Sequence, residues 1–76
     1  MISETTIVTL LAQCLEIDAS EISVTSTRET VDGWDSIVHL SLLGLLEDCS
    51  PGVLDQYPKL AEAKSVNEIY AILNPS

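Results

Sequence analysis

Apolar side chains recur at helical intervals over three stretches of the chain. Ile7, Leu10, Leu11, Cys14 and Leu15 stand at i, i+3, i+4, i+7 and i+8, the stripe of an amphipathic helix. Ser3 is placed to cap that helix, and Glu4 lies in the first turn, where the helix dipole favours negative charge. The spacing predicts a helix over residues 3–16. A second helix is predicted from Ser36 to Cys49. At about 100° per residue, Val38, Leu42, Leu45, Leu46 and Cys49 share one sector and are expected to face the core. Ser36, His39, Ser41, Gly44, Glu47 and Asp48 fall on the other side. Ile37, Leu40 and Leu43 also turn towards that polar side and flank Ser36, either as a docking surface or as packing under the preceding loop. In the third stretch Val66, Ile69, Tyr70 and Leu73 repeat at i, i+3, i+4 and i+7. A Ser65/Glu68 capping box precedes them, and Asn74 and Pro75 close the helix.

The connections read differently. Residues 17–35 show no sustained period and are rich in Ser, Thr, Asp and Glu. Asp18 and Glu21 are spaced to cap a single turn, and Ile22 or Val24 is available to pin the segment to the core. A loop of this length in so small a domain implies a purpose. Ser50, Pro51 and Gly52 end the second helix. Residues 53–63 predict a short, proline-interrupted helical stretch, best placed after Pro58. The sole strand candidate, Ile22–Thr25, is very short. The expectation is an all-α, four-helix bundle with three main helices, one short helix, and a long loop between helices one and two. Residues 1–76 form one domain in this reading.

Composition narrows the function. A chain of 76 residues hides only about 60% of the surface its unfolded form exposes, which leaves no room for a deep catalytic cavity. The apolar share is 46% and almost wholly aliphatic; Phe is absent, and the aromatics are Trp34, Tyr57 and Tyr70. Twelve acidic residues face Arg28, Lys59 and Lys64, for a net charge of -9. Nucleic acid is thereby excluded as an expected partner, since phosphate backbones need basic residues to neutralise them. An acidic field attracts basic protein surfaces and also keeps an apolar domain in solution. No basic region followed by an apolar run opens the chain, and no apolar run is long enough to span a bilayer. Neither a signal peptide nor a membrane partner is expected, and the expected location is the cytoplasm. Cys14 and Cys49 are too few for a disulfide framework and are separated by about 20 Å of helix, so two free thiols are expected.

The chemistry concentrates at Gly33-Trp34-Asp35-Ser36-Ile37, where the long loop meets the second helix. A helix N-terminus offers free N–H groups and a positive dipole end, which favour a phosphate on a serine placed there. Asp35 is positioned to cap the helix or to assist a metal in a modifying enzyme. Gly33 lets the backbone turn, and Trp34 can pin the loop end against the bundle. Asp-Ser before an apolar run also begins many ordinary helices. Its weight here comes from the combination with chain length, acidity, the long loop and the mid-chain position of Ser36. With these features the chain resembles the acyl and peptidyl carrier protein family over nearly its whole length. The five residues are similar to that family's Gly-x-Asp-Ser-Leu attachment motif, with Ile37 in place of Leu, a mild change in volume.

The resemblance implies a four-helix bundle carrying 4′-phosphopantetheine on Ser36. A phosphopantetheinyl transferase would install the arm from coenzyme A with magnesium. The arm's terminal thiol would hold acyl or aminoacyl groups as thioesters for a loading enzyme and downstream synthases. The carrier itself would be a free-standing, monomeric non-enzyme; Met1 and the short ends favour the free-standing form. Two features depart from carriers of fatty-acid synthesis. The early part of helix two reads Val38-His39-Leu40-Ser41-Leu42, with acids only at Glu47 and Asp48. Gly44 inside a helix costs about 1 kcal/mol relative to Ala, which implies close approach of a partner or acyl chain, or tight packing against the loop. Both favour a specialised pathway, such as polyketide, nonribosomal peptide or modified-sugar synthesis, over fatty-acid synthesis.

Ser36, His39 and Asp35 invite a catalytic-triad reading, which fails for want of a buried orienting acid, an oxyanion hole and a substrate pocket. His39 is expected to be an exposed polar residue that contacts a partner or the arm's phosphate. Ile37, Leu40 and Leu43 carry the strongest expectation of partner contact after Ser36. Cys14, His39 and Cys49 lack metal-ligand spacing. The competing functional readings are a helical interaction module without an arm and, more remotely, a small hydrolase.

Overall fold

The computed structural model describes residues 2–23 and 25–74, which form a helical bundle. Helix α1 spans Glu4–Leu15, α2 Ser36–Cys49, α3 Val53–Gln56 and α4 Val66–Leu73; 3-10 turns occupy Ala19–Glu21 and Pro58–Glu62. No strand occurs among the described residues, only an isolated antiparallel bridge between Thr27 and Ser65. Helix α1 packs against α2 and α4, and the Pro58–Glu62 turn bridges α2, α3 and α4. Ile7, Leu11, Leu42, Leu46, Leu60, Val66 and Ile69 are fully buried between them. Burying a side chain of this size contributes about 1.5–3 kcal/mol, which holds four short helices together where isolated helices would melt.

Local signals set the helix starts. Ser3 Oγ accepts from Thr6 N at 3.2 Å, Asp35 Oδ1 from Val38 N at 2.9 Å and Ser65 Oγ from Glu68 N at 3.0 Å. Glu68 reaches back to Lys64 N at 3.1 Å, one residue before the position a strict capping box uses. Helix α1 ends with Glu16 in the left-handed region (φ 59°), while Ile17 N returns to Ala12 O at 3.1 Å. Asn74 closes α4, its side-chain amide donating to Tyr70 O at 3.1 Å and to Ile2 O at 3.4 Å.

The described residues of the long connection are held at several points. Asp18 N donates to Glu21 at 3.3 Å around the first turn, and Ile22 is buried beneath it. The alternative anchor, Val24, lies outside the described residues, as do part of the Ile22–Thr25 strand candidate, Pro75 and Met1. Further on, Arg28 N donates to Lys64 O at 2.8 Å and Val66 N to Ser26 O at 3.1 Å. These two bonds fasten the middle of the loop to the start of α4.

Several expectations need correction. Cys49, expected in the core, is exposed at the last residue of α2, one turn beyond buried Leu46. The stretch after Pro58 is helical but of the 3-10 type, and α3 forms ahead of it. The cause of α3 is a long-range cap. Glu47 on α2 accepts from Gly52 N at 2.6 Å and Leu54 N at 3.2 Å, satisfying amides that no neighbouring residue in sequence reaches. Gly44 is exposed, and an added Cβ would meet nothing within 4 Å, so packing against the loop does not explain it. Gly44→Ala is therefore expected to stabilise the protein by about 1 kcal/mol, read as a higher urea midpoint at unchanged slope; a loss of stability would contradict the open geometry.

Candidate functional site

The site lies where the long loop enters α2. Gly33 turns the chain at φ 88°, a left-handed conformation that costs other residues about 1–2 kcal/mol. Trp34 then points inward and is 3% exposed, as expected of a residue that pins the loop. Asp35 is the N-cap in extended conformation, and Ser36 is the first helical residue, exposed to solvent. With Val38 N bonded to Asp35 Oδ1 and His39 N to Asp35 O at 2.9 Å, the amides of Ser36 and Ile37 have no acceptor among the described residues. Nor does the Ser36 hydroxyl engage any described residue. The result is an open hydroxyl on a fixed base, beside two free N–H groups at the positive end of a 14-residue helix.

His39 departs most from expectation. It is 3% exposed rather than a surface residue, and both ring nitrogens are engaged. The Trp34 indole N–H can only donate, and it gives its hydrogen to His39 Nδ1 at 3.2 Å. That bond assigns the ring proton to Nε2, which donates to Leu60 O at 2.9 Å. The Trp34 and His39 rings lie 6.0 Å apart between centroids at an interplanar angle of 29°. His39 thus joins the loop end, α2 and the Pro58–Glu62 turn instead of standing on the surface. Of the two roles expected for Leu43, docking or packing under the loop, its burial at 6% exposure fits the second. The physical reason is common to both: the loop and the 3-10 turn cover a second side of α2, which widens its buried sector. Ile37 and Leu40 remain open at 75% and 67% exposure, one residue and about one turn after Ser36 in the helix.

A shallow groove of about 170 Å³ runs beside the serine, lined by Arg28, Ser36, His39, Leu40, Leu43 and Ala61. Two larger grooves, about 440 and 400 Å³, lie elsewhere and do not include Ser36. Sequence reasoning missed Arg28 and Ala61 because loop and turn residues carry no periodicity to place them. It missed the Trp34–His39 bond for a different reason, since an i, i+5 pair across a helix start matches no helical or strand spacing. Among the described residues no group of three or more His, Cys, Asp or Glu side chains could hold a metal ion. Cys14 and Cys49 are free thiols, and burial pushes the Cys14 thiol up from its ordinary value, which favours its protonated form. No helix among the described residues is long and apolar enough to cross a membrane.

Comparisons with protein-family models, curated proteins and solved structures returned no match. The site itself defines a small all-helical bundle with one exposed serine on a rigid helix start, flanked by two exposed aliphatic side chains.

The buried histidine carries the geometry. His39→Ala leaves the Trp34 N–H and the Leu60 carbonyl without partners and opens a cavity. It is expected to cost about 2–4 kcal/mol, measured by urea unfolding with the single tryptophan as fluorophore. A loss under about 0.5 kcal/mol, the range of an ordinary surface substitution, would contradict the staple.

Proposed function

We propose that this chain is a carrier protein whose Ser36 holds a 4′-phosphopantetheine arm. The observation that carries the reading is the exposed Ser36 hydroxyl at the first residue of α2. The surroundings fit the group. Two amides without acceptors among the described residues and an arginine, Arg28, on the lining of the same groove suit a phosphodiester, and the groove wall of Leu40, Leu43 and Ala61 suits an aliphatic chain. In arm installation the Ser36 oxygen forms a bond to the pantetheine-bearing phosphorus of coenzyme A. The phosphoanhydride bond breaks, adenosine 3′,5′-bisphosphate departs, and the hydroxyl proton passes to the transferase. When bound, the arm supplies a terminal thiol that holds acyl or aminoacyl groups as thioesters.

The protein's own residues perform recognition and positioning. Asp35 keeps the helix start in place through Val38 N and leaves its second oxygen free for a transferase-bound magnesium. The Trp34–His39–Leu60 connection fixes the direction in which Ser36 faces. Tethering then keeps an intermediate at high effective concentration beside successive enzymes, without any bond-making group on the carrier. The partners in this reading are a phosphopantetheinyl transferase, a loading enzyme and downstream synthases. They meet the surface at Ile37 and Leu40, the two most exposed large aliphatic side chains among the described residues. A specialised pathway fits better than fatty-acid synthesis, because the first half of α2 offers apolar contacts and Glu47 is committed to capping α3. The cytoplasm supplies coenzyme A and keeps Cys14 and Cys49 as thiols. The exposed Ile37 and Leu40 also favour a second reading, an interaction module with no arm.

Intact mass separates the two. Incubated with coenzyme A, magnesium and a broad-specificity phosphopantetheinyl transferase, the purified apo-protein is expected to gain one phosphopantetheine, and Ser36→Ala none. An unmodified wild-type chain would reject the carrier reading in favour of the interaction module.

The docking surface has its own test. Leu40→Glu is expected to lower kcat/KM for arm installation about tenfold or more, as loss of a buried interface anchor does. Its unfolding free energy should move by less than about 0.5 kcal/mol, as for other exposed positions. Unchanged installation kinetics would remove Leu40 from the contact surface.

A further inference from the structure

Arg28 stands on the divide between two grooves. It lines the one that holds Ser36 and also the larger one formed with Thr27, Glu29, Lys64 and Ser65. Its main chain is held firmly, because Arg28 N donates to Lys64 O at 2.8 Å within the bridge that pairs Thr27 with Ser65. Its side chain is not. Among the described residues, the guanidinium makes no hydrogen bond and no ion pair, although the chain carries twelve acidic residues. Arg28 is the one cation on the groove beside Ser36, and the other groove-lining side chains there offer little to an anion. Leu40, Leu43 and Ala61 are apolar. His39 has no free donor, since Nδ1 accepts from Trp34 and Nε2 is spent on Leu60 O.

A guanidinium keeps its charge at any physiological pH and matches two phosphate oxygens with two parallel N–H donors. A phosphodiester on Ser36 would lie on the groove that Arg28 lines, and the Arg28 main chain is tied to Lys64. We propose that Arg28 is the positioning residue for the arm. Its guanidinium holds the phosphate on Ser36 and turns the arm along the apolar wall of Leu40, Leu43 and Ala61. This inference rests on the carrier reading. It adds to it a residue outside the attachment motif, supplied by the long loop.

Arg28 is the sole arginine, so its Nε–H gives a single, self-assigning signal in a 15N-labelled chain. The experiment compares the full-length apo- and holo-proteins, with the mass gain checked first. On arm installation the Arg28 Nε–H resonance is expected to shift, and its exchange with water to slow about tenfold or more, as for a charge-assisted hydrogen bond. The 31P resonance of holo-protein should move in Arg28→Gln, while Arg28→Lys, which keeps the charge but not the fork, gives an intermediate position. Both variants retain the main-chain bond to Lys64, and Trp34 fluorescence reports their fold. An Arg28 signal identical in apo- and holo-protein overturns the inference and leaves the carrier reading standing. A wild-type chain that gains no mass overturns both. The wild-type comparison decides the matter even if a variant fails to fold.

Discussion

The site depends on one buried hydrogen-bonded chain, from the Trp34 indole through the His39 imidazole to the Leu60 carbonyl. Each link is costly to leave unmade in a dry interior, where an unpaired donor or acceptor loses about 1–3 kcal/mol. The chain therefore behaves as a staple with three legs. One leg stands on the loop end, one on α2 and one on the 3-10 turn after Pro58. Removing its freedom removes the freedom of Asp35 and Ser36, which sit between the first two legs in sequence. The serine is exposed because its neighbours on both sides are committed inward. Trp34 goes to the core before it, and Val38 and His39 turn in after it.

Helix positions were legible in the sequence wherever a short-range signal set them. Ser3, Asp35 and Ser65 cap the helices they were expected to cap, and Ile7, Leu11, Leu42, Leu46, Val66 and Ile69 lie where the 3.6-residue period puts them. The placement of Ser36 at a helix start was legible for the same reason. What the period could not show is how many sides of a helix are covered. A hydrophobic stripe locates one buried face, yet α2 is enclosed on two, by α1 on one and by the loop and the Pro58–Glu62 turn on the other. His39 and Leu43 sit on that second face. A histidine looks polar in a pattern of letters, whereas an imidazole with both nitrogens satisfied packs as a core side chain. Glu47 escaped notice similarly, because its acceptors bind amides five and seven residues ahead in a turn whose path depends on the tertiary fold.

Charge is distributed in a way that composition alone conceals. The net charge of -9 suggests an acidic docking surface, but the acids near α2 are occupied or remote from Ser36. One Asp35 oxygen caps the helix, Glu47 caps α3, and Asp48 lies three turns away. Around the serine the open second oxygen of Asp35 faces outward together with aliphatic side chains on the helix, and Arg28 lines the groove. In the carrier reading proposed above, long-range attraction by the acidic surface and short-range recognition at Ser36 would be separate properties, the first falling with salt and the second far less so. A partner selected by the second would present an apolar depression for Ile37 and Leu40, rather than a basic patch.

The long loop explains how so small a bundle can support such a site. Lengthening a loop is entropically cheap, at about 0.6 kcal/mol per doubling. The real difficulty is to keep its end still. Here the loop is tied down three times. Ile22 enters the core, the Ser26–Arg28 stretch bonds to the start of α4, and Trp34 closes on His39. The segment between the last two ties carries Arg28 at one end and Ser36 just beyond the other. A connection that merely joined α1 to α2 would need neither the bridge to α4 nor the buried tryptophan. Both have a use if, as proposed above, the loop presents Arg28 from a tethered main chain beside the groove that holds Ser36.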